Sequence, residues 1–161
     1  MPDESIKRAA EALDQERTVR GLLETACKEL AETLDATACA ISRVVGDLLV
    51  GLAEFSKGPS PLALGHEYLI SDYPLTLEVV TRGEPRAVSL LEERPDPDEA
   101  ALLQKIGYES LLMVCLPAGG GCWGLVEVYA DGRSFDAGET AIAREIATAA
   151  GRRLERLGPA G

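Results

Sequence analysis

The sequence predicts an α+β fold: a central antiparallel sheet of five or six strands, with N- and C-terminal helices packed on one face and short helices and loops on the other. Three observations carry this expectation. Residues 111–117 and 122–130 are apolar at odd and even positions alike, so both faces of the sheet they build are covered. Long segments with three- and four-residue apolar periods stand at both chain ends, and short helical segments stand between the middle strands. Gly46-Asp47 and Gly119-Gly120-Gly121 separate neighbouring apolar runs, as hairpin turns do.

Each element follows from its residues. Ile6, Ala9, Ala10 and Leu13 give a sparse stripe suited to an exposed helical extension or a partner helix. Val19, Leu22, Leu23, Ala26, Cys27, Leu30 and Leu34 define a helix with one buried stripe. Residues 37–45 and 48–55 are β-rich runs around the Gly46-Asp47 turn. The next stretch holds Gly58, Pro59, Pro61 and Gly65, whose backbone preferences break regular structure and make 56–73 a loop. Asp72 and Pro74 open a short helix closed by Gly83, with Asp72 placed to cap it, and a strand follows at 86–90. Asp96-Pro97-Asp98-Glu99 supplies cap, proline and third-position acid for a helix to about Ile106. Asp136 with Glu139 repeats that pattern before a final helix striped by Ile142, Ile146, Ala149, Ala150, Leu154 and Leu157.

At 161 residues the chain fits one domain with a single continuous core. The division expected is a helical extension at 1–17, which is a candidate dimer or signalling helix, a domain at 18–157, and a flexible tail at 158–161. Sixteen basic and 27 acidic residues leave a net charge of −11, which opposes attraction to nucleic-acid phosphate or anionic lipid. No apolar run reaches the roughly 20 residues of a spanning helix, and the acidic Pro2-Asp3-Glu4 start is unlike a signal peptide. A cytoplasmic protein binding neither nucleic acid nor membrane is expected. Cys27, Cys39, Cys115 and Cys122 are too widely spaced for a zinc site and read as reduced structural thiols, with Cys115 and Cys122 on one face of a hairpin as a conceivable redox pair.

The ordered series Leu116-Pro117, Gly119-Gly120-Gly121, Trp123-Gly124-Leu125 and Phe135-Asp136-Ala137-Gly138-Glu139 resembles the GAF family of small-molecule sensor domains. The order helix, two strands, loop, short helix, strand, short helix, hairpin, long helix matches that family over roughly residues 18–157. Members bind cyclic nucleotides, bilins, haem, amino acids, other small molecules or nothing, so the resemblance implies sensing and leaves the cofactor unknown. The Asn-Lys-x-x-Phe-x-x-x-Asp-Glu pattern of cyclic-nucleotide members is absent, residues 56–110 hold no cysteine for a covalent bilin, and the single histidine is His66.

Tyr68, Asp72 and Tyr73 are candidate ligand contacts, two rings to stack on a planar ligand and a carboxylate to orient it. Tyr108 and Ser110, entering the hairpin beside the second short helix, are candidates of the same kind. Glu127 interrupts an apolar strand, on the face read as that of Trp123, Leu125 and Tyr129, and needs a partner: a ligand amine, an arginine or solvent. Arg82, Arg86 and Arg94 read as an anion-binding rim or as solvated charges. No catalytic or metal-ligating residue is assigned. The expected function is a sensory or regulatory domain that binds a small molecule or protein partner and signals through its terminal helices to a downstream protein, as a homodimer. The alternatives are a thiol-dependent enzyme resembling free methionine-R-sulfoxide reductase and a ligand-less dimerisation scaffold.

Overall fold

The computed structural model describes residues 2–58 and 67–158. His66, most of the loop between the second and third strands, and the 159–161 part of the expected tail lie outside the described residues. The element order is α1 (Pro2–Asp14), α2 (Val19–Thr33), β1 (Ala38–Val45), β2 (Leu48–Ser56), β3 (Glu67–Leu69), a 3-10 turn (Ile70–Asp72), α3 (Pro74–Arg82), β4 (Arg86–Ser89), α4 (Pro97–Ile106), β5 (Ser110–Ala118), β6 (Gly121–Ala130) and α5 (Ala137–Leu157). The six strands form one antiparallel sheet in the order β3-β2-β1-β6-β5-β4. The sixth strand, β3, sits inside a segment that reads as loop, because three residues are too few to show a period-two pattern.

Helices α1, α2 and α5 cover one sheet face. Their core takes Leu22, Leu23, Leu30, Ile146, Ala147, Ala150 and Leu154 from the helices and Cys39, Ile41, Leu112, Val114, Leu116, Val126 and Val128 from the sheet. Ala9 and Leu13 of α1 are fully buried in it, so α1 is part of the packed unit rather than an exposed extension. Arg153 reinforces this by donating from Nε and Nη2 to the Glu16 carbonyl at 3.1 and 2.8 Å, and Arg156 pairs with Asp14 at 2.6 Å. Close packing of α5 on β5 needs Gly151, since a Cβ there would stand 1.9 Å from the Pro117 carbonyl oxygen. Arg133 joins both ends of this layer, contacting the Leu34 and Asp35 carbonyls at the exit of α2 and Glu139 at the start of α5.

The opposite face carries a second core under α3 and α4, built from Ala38, Ala40, Leu49, Ile70, Val79, Val88, Leu103, Leu111, Met113, Leu125 and Tyr129. Two expectations change at the β5–β6 hairpin. A register shift between Leu116 and Pro117 makes Trp123 the extra residue of a bulge, so Trp123 leaves the face of Leu125 and packs at the rim of the helix-covered core. There the Arg43 guanidinium lies 4.5 Å over its ring. The same shift sets Cys122 opposite Pro117, diagonal to Cys115, and the two cysteines form a disulfide with Cα atoms 5.6 Å apart. Only Cys27 and Cys39 are the buried free thiols that the sequence suggests for all four, and burial pushes the Cys39 thiol well above its ordinary range. Among the described residues no helix is long and apolar enough to cross a membrane, and no group of three or more His, Cys, Asp or Glu is placed to hold a metal ion.

Candidate functional site

Strand β6 lies at the centre of the sheet, paired with β1 and β5, and its alternation turns Leu125, Glu127 and Tyr129 toward the short-helix face. Directly opposite Glu127 stand Ala40 on β1 and Met113 on β5; opposite Tyr129 stand Ala38 and Leu111. The β1 neighbours of both polar side chains are therefore small, alanines at 38 and 40. Glu127 is half-buried and accepts a hydrogen bond from the Tyr129 hydroxyl at 3.1 Å. Burial raises its pKa to about 7, the nearby Glu99 adds to the rise, and the Tyr129 bond opposes it. Neither sheet-edge exposure nor an arginine accounts for this carboxylate, since it stands on a central strand with a phenol as partner.

Glu99 reaches the same face from α4. Asp96 caps that helix by accepting from the Glu99 amide at 3.1 Å, but the Glu99 carboxylate does not fold back to complete a reciprocal box. It crosses instead to the N-terminus of α3, where Oε2 accepts from the Thr76 amide at 3.1 Å and the Thr76 hydroxyl at 2.5 Å. Thr76 is the third residue of α3, whose opening amides lack intrahelical partners, and Tyr73 at the N-cap makes no side-chain cap. Asp72, expected to cap α3, ends the 3-10 turn instead. An acid at a helix N-terminus is electrostatically favoured, which helps an almost fully buried carboxylate, 1 % exposed, to persist there. Burial still raises the Glu99 pKa, with the two Thr76 bonds opposing and Asp96 and Asp98 adding.

Three further phenols surround these acids. Tyr68 on β3 and Tyr73 meet edge to face with centroids 6.1 Å apart, and Tyr108 stacks on Tyr129 at 5.2 Å. Burial raises the Tyr68 hydroxyl, with Glu127 and Tyr73 adding, and it raises Tyr73, with Glu99, Asp72 and Asp98 adding. Tyr129 is pushed well above its ordinary range by burial and then by Glu127. The outcome is a polar patch of mutually coupled carboxyls and phenols in an otherwise apolar core. It offers hydrogen-bond acceptors to a cationic or amide-bearing group, and phenolic donors to an acceptor.

Of the residues singled out from sequence, Tyr68, Tyr73 and Glu127 come together here, and Tyr108 joins through Tyr129. Asp72 is exposed and lines, with Tyr73, an open groove of about 440 Å³ against Asp98, Ala101, Leu102 and Lys105. Ser110 is buried elsewhere, sharing a 2.8 Å hydrogen bond with the Ser89 hydroxyl and donating to the Arg133 carbonyl at 2.5 Å, which ties β4, β5 and the α5 entry together. Arg86 is paired with Glu78 and Glu84, Arg94 is exposed, and Arg82 lines a separate groove beside the hairpin. Sequence reasoning passed over Glu99, Thr76 and Met113, whose Sδ lies 3.4 Å from the Thr76 hydroxyl. Glu99 was absorbed by a cap pattern that it fits, and only the tertiary placement of α3 reveals its second use.

Comparison with known proteins agrees with this architecture. The GAF domain family profile matches residues 18–154. No curated protein sequence is significantly similar to the chain. Among solved structures, the chromophore-binding domain of Stigmatella aurantiaca bacteriophytochrome superposes with a TM-score of 0.82 at 14% identity, over 96% of this chain and 60% of that one. The biliverdin-bound far-red-absorbing dark state of JSC1_58120g3 gives 0.80 at 16% identity, over 95% and 98%. The GAF domain of an Acinetobacter phosphoenolpyruvate-protein phosphotransferase gives 0.73 at 13% identity, over 95% and 92%. At these identities the likeness is one of fold, and the chain spans about three fifths of the phytochrome fragment.

Proposed function

Given that this chain belongs to the GAF family, we propose that it is a sensory domain that binds a small organic molecule on the short-helix face of its sheet. The observation that carries the reading is Glu127: a half-buried carboxyl on a central strand, with a pKa raised to about 7, whose hydrogen-bond partner among the described residues is Tyr129 and whose cross-strand neighbour on β1 is the small Ala40. A titratable group strongly perturbed by desolvation, with a second acid beside it, is a candidate for a functional site. Tyr68 and Tyr73 supply aromatic walls, with Tyr108 and Asp72 at the periphery. Ser110 serves packing in this reading.

The division of labour follows from the layers. Residues 18–157 form the sensing domain, α1 is a built-in part of the output layer, and α1, α2 and α5 pass a change in packing to a homodimer partner and a downstream protein. The protein is cytoplasmic and works by binding rather than catalysis, away from nucleic acid and membrane. Partly exposed Ile142, Ala149 and Leu157 on α5 and Val19 on α2 offer the dimer surface. Leu13 and Leu22 do not, because both are fully buried within one protomer.

A thermal-shift screen of nucleotides, amino acids, amines and tetrapyrroles tests the reading, biliverdin being included because it occupies the JSC1_58120g3 neighbour. A true ligand at 100 times its Kd adds about 2.7 kcal/mol of stability. The gain should shrink in Glu127→Gln and Tyr73→Ala. A hit that is indifferent to both variants places binding elsewhere, and light scattering that shows a monomer at all concentrations removes the homodimer.

A further inference from the structure

A second groove, of about 350 Å³, lies on the other flank of the sheet, where β4 stops pairing with β5 at Met113 and leaves the edge of residues 114–118 uncovered. Its walls are the C-terminal end of α3, the glycine turn of the hairpin and one side of α5, and the Cys115–Cys122 disulfide forms part of its lining. Both cysteines are partly exposed there. The only charged side chains that line it are Arg82 and Arg144, and neither makes an ion pair among the described residues. Two unpaired cations beside a reachable disulfide form an unusual feature in a chain of net charge −11.

We infer that this groove is a thiol–disulfide exchange site for a low-molecular-weight thiol bearing carboxylates, whose anionic groups dock on Arg82 and Arg144 while its sulfur reaches the disulfide. The incoming thiolate attacks the Cys122 sulfur, forming a new S–S bond as the Cys115–Cys122 bond breaks; Cys115 leaves as a thiolate and takes a proton from solvent. A second molecule of the same thiol then attacks the adduct, releasing the oxidised thiol and leaving Cys122 reduced. Two thiols lose two electrons in all, and the protein disulfide gains them. The sulfur of Cys122 is the one attacked because this residue stands second in β6, after Gly120 and Gly121, which have no side chains to shield it, whereas Cys115 packs against the second core. Opening the bond loosens a hairpin that bears on α5 through Pro117 over Gly151 and through the Gly119 amide on Glu155 at 2.9 Å. The output layer would then register redox state independently of what the acid–tyrosine face binds.

The test uses the full oxidised chain and compares opening by mercaptosuccinate, 2-mercaptoethanol and cysteamine, a dianionic, a neutral and a cationic thiol. Rates are normalised to thiolate concentration, and adducts are mapped by mass. The mercaptosuccinate-to-cysteamine rate ratio should fall roughly tenfold in the double variant Arg82→Gln/Arg144→Gln, with the first adduct on Cys122. The net negative charge biases this ratio against the dianion in parent and variant alike, so the change in the ratio on substitution, and not its value, reports the local arginines. Both arginines are exposed, so the variant is expected to keep the parent Tm, which is measured alongside. A ratio unchanged in the variant, an adduct confined to Cys115, or four free thiols after oxidant treatment would overturn the inference.

Discussion

The two faces of one sheet differ in kind. The core under α1, α2 and α5 is apolar, with alanines and a glycine permitting close helix approach, while the face under α3 and α4 places Glu99, Glu127 and Tyr129 among Ala, Leu and Met. The strands are shared, so neither composition nor strand propensity separates the two sides. What separates them is the covering layer. Long helices with regular stripes cover the first face, and two short helices of nine and ten residues cover the second, whose buried polar groups must find partners.

The largest effect that would break this contrast is expected on the aliphatic side. Gly151→Ala drives a Cβ into the Pro117 carbonyl and should cost about 3 kcal/mol, read as a lowered midpoint in urea unfolding. A cost below 1 kcal/mol would mean that α5 rides more loosely on β5 than described. Next comes Glu99→Ala, which strips the Thr76 amide and hydroxyl of their acceptor in a buried site and should cost about 2–3 kcal/mol, most of it recovered by Glu99→Gln. Equal losses for Ala and Gln would show that charge, not acceptance, holds the two short helices together.

Glu127 sharpens the comparison through pH. Its carboxyl has a pKa raised from 4.5 to about 7, so the folded state holds a proton that the unfolded chain releases, and stability falls as pH rises between those values and levels off above. Allowing for its partial exposure, the loss across that window should be about 2 kcal/mol. Glu127→Gln should remove this slope and be the more stable protein at pH 8, as followed by chemical unfolding at several pH values. A slope that persists in the variant would reassign the titration to another group. The smallest effect concerns the two helix starts with the same acid spacing. Asp136→Ala, in a complete box, should cost about 1 kcal/mol, and Asp96→Ala should cost no more, since only one of the two box bonds exists there.

Much of the fold was legible because its signals are local. Stripes at three- and four-residue spacing located α2 and α5 within a residue or two, and Gly46 and the 119–121 run marked both hairpins. The short β3 strand, the bulge at Trp123 and the burial of α1 were not legible, because each depends on what lies across from it. A three-residue strand exists only through pairing with Leu48, Leu49 and Val50. Trp123 reads as an inward alternate until the register slips, and Leu13 reads as a spare apolar residue until α5 covers it. The site divides in the same way. Tyr68, Tyr73 and Glu127 stand out as polar or aromatic interruptions, whereas Glu99 hides inside a capping pattern and Ser110 reads as a candidate contact while its hydroxyl bonds Ser89 and the Arg133 carbonyl.

By itself the sequence determined every helix and strand except β3, their order and the covering of both sheet faces, since apolar period, turn glycines and caps act over a few residues and carry their meaning wherever the chain goes. Tertiary structure alone decided which polar groups face one another: that a capping glutamate serves a neighbouring helix, that a strand carboxyl shares its space with a second acid and a phenol, and that two cysteines meet across a bulge. Those outcomes rest on desolvation and on distances between residues far apart in the chain, which are not properties of any local pattern.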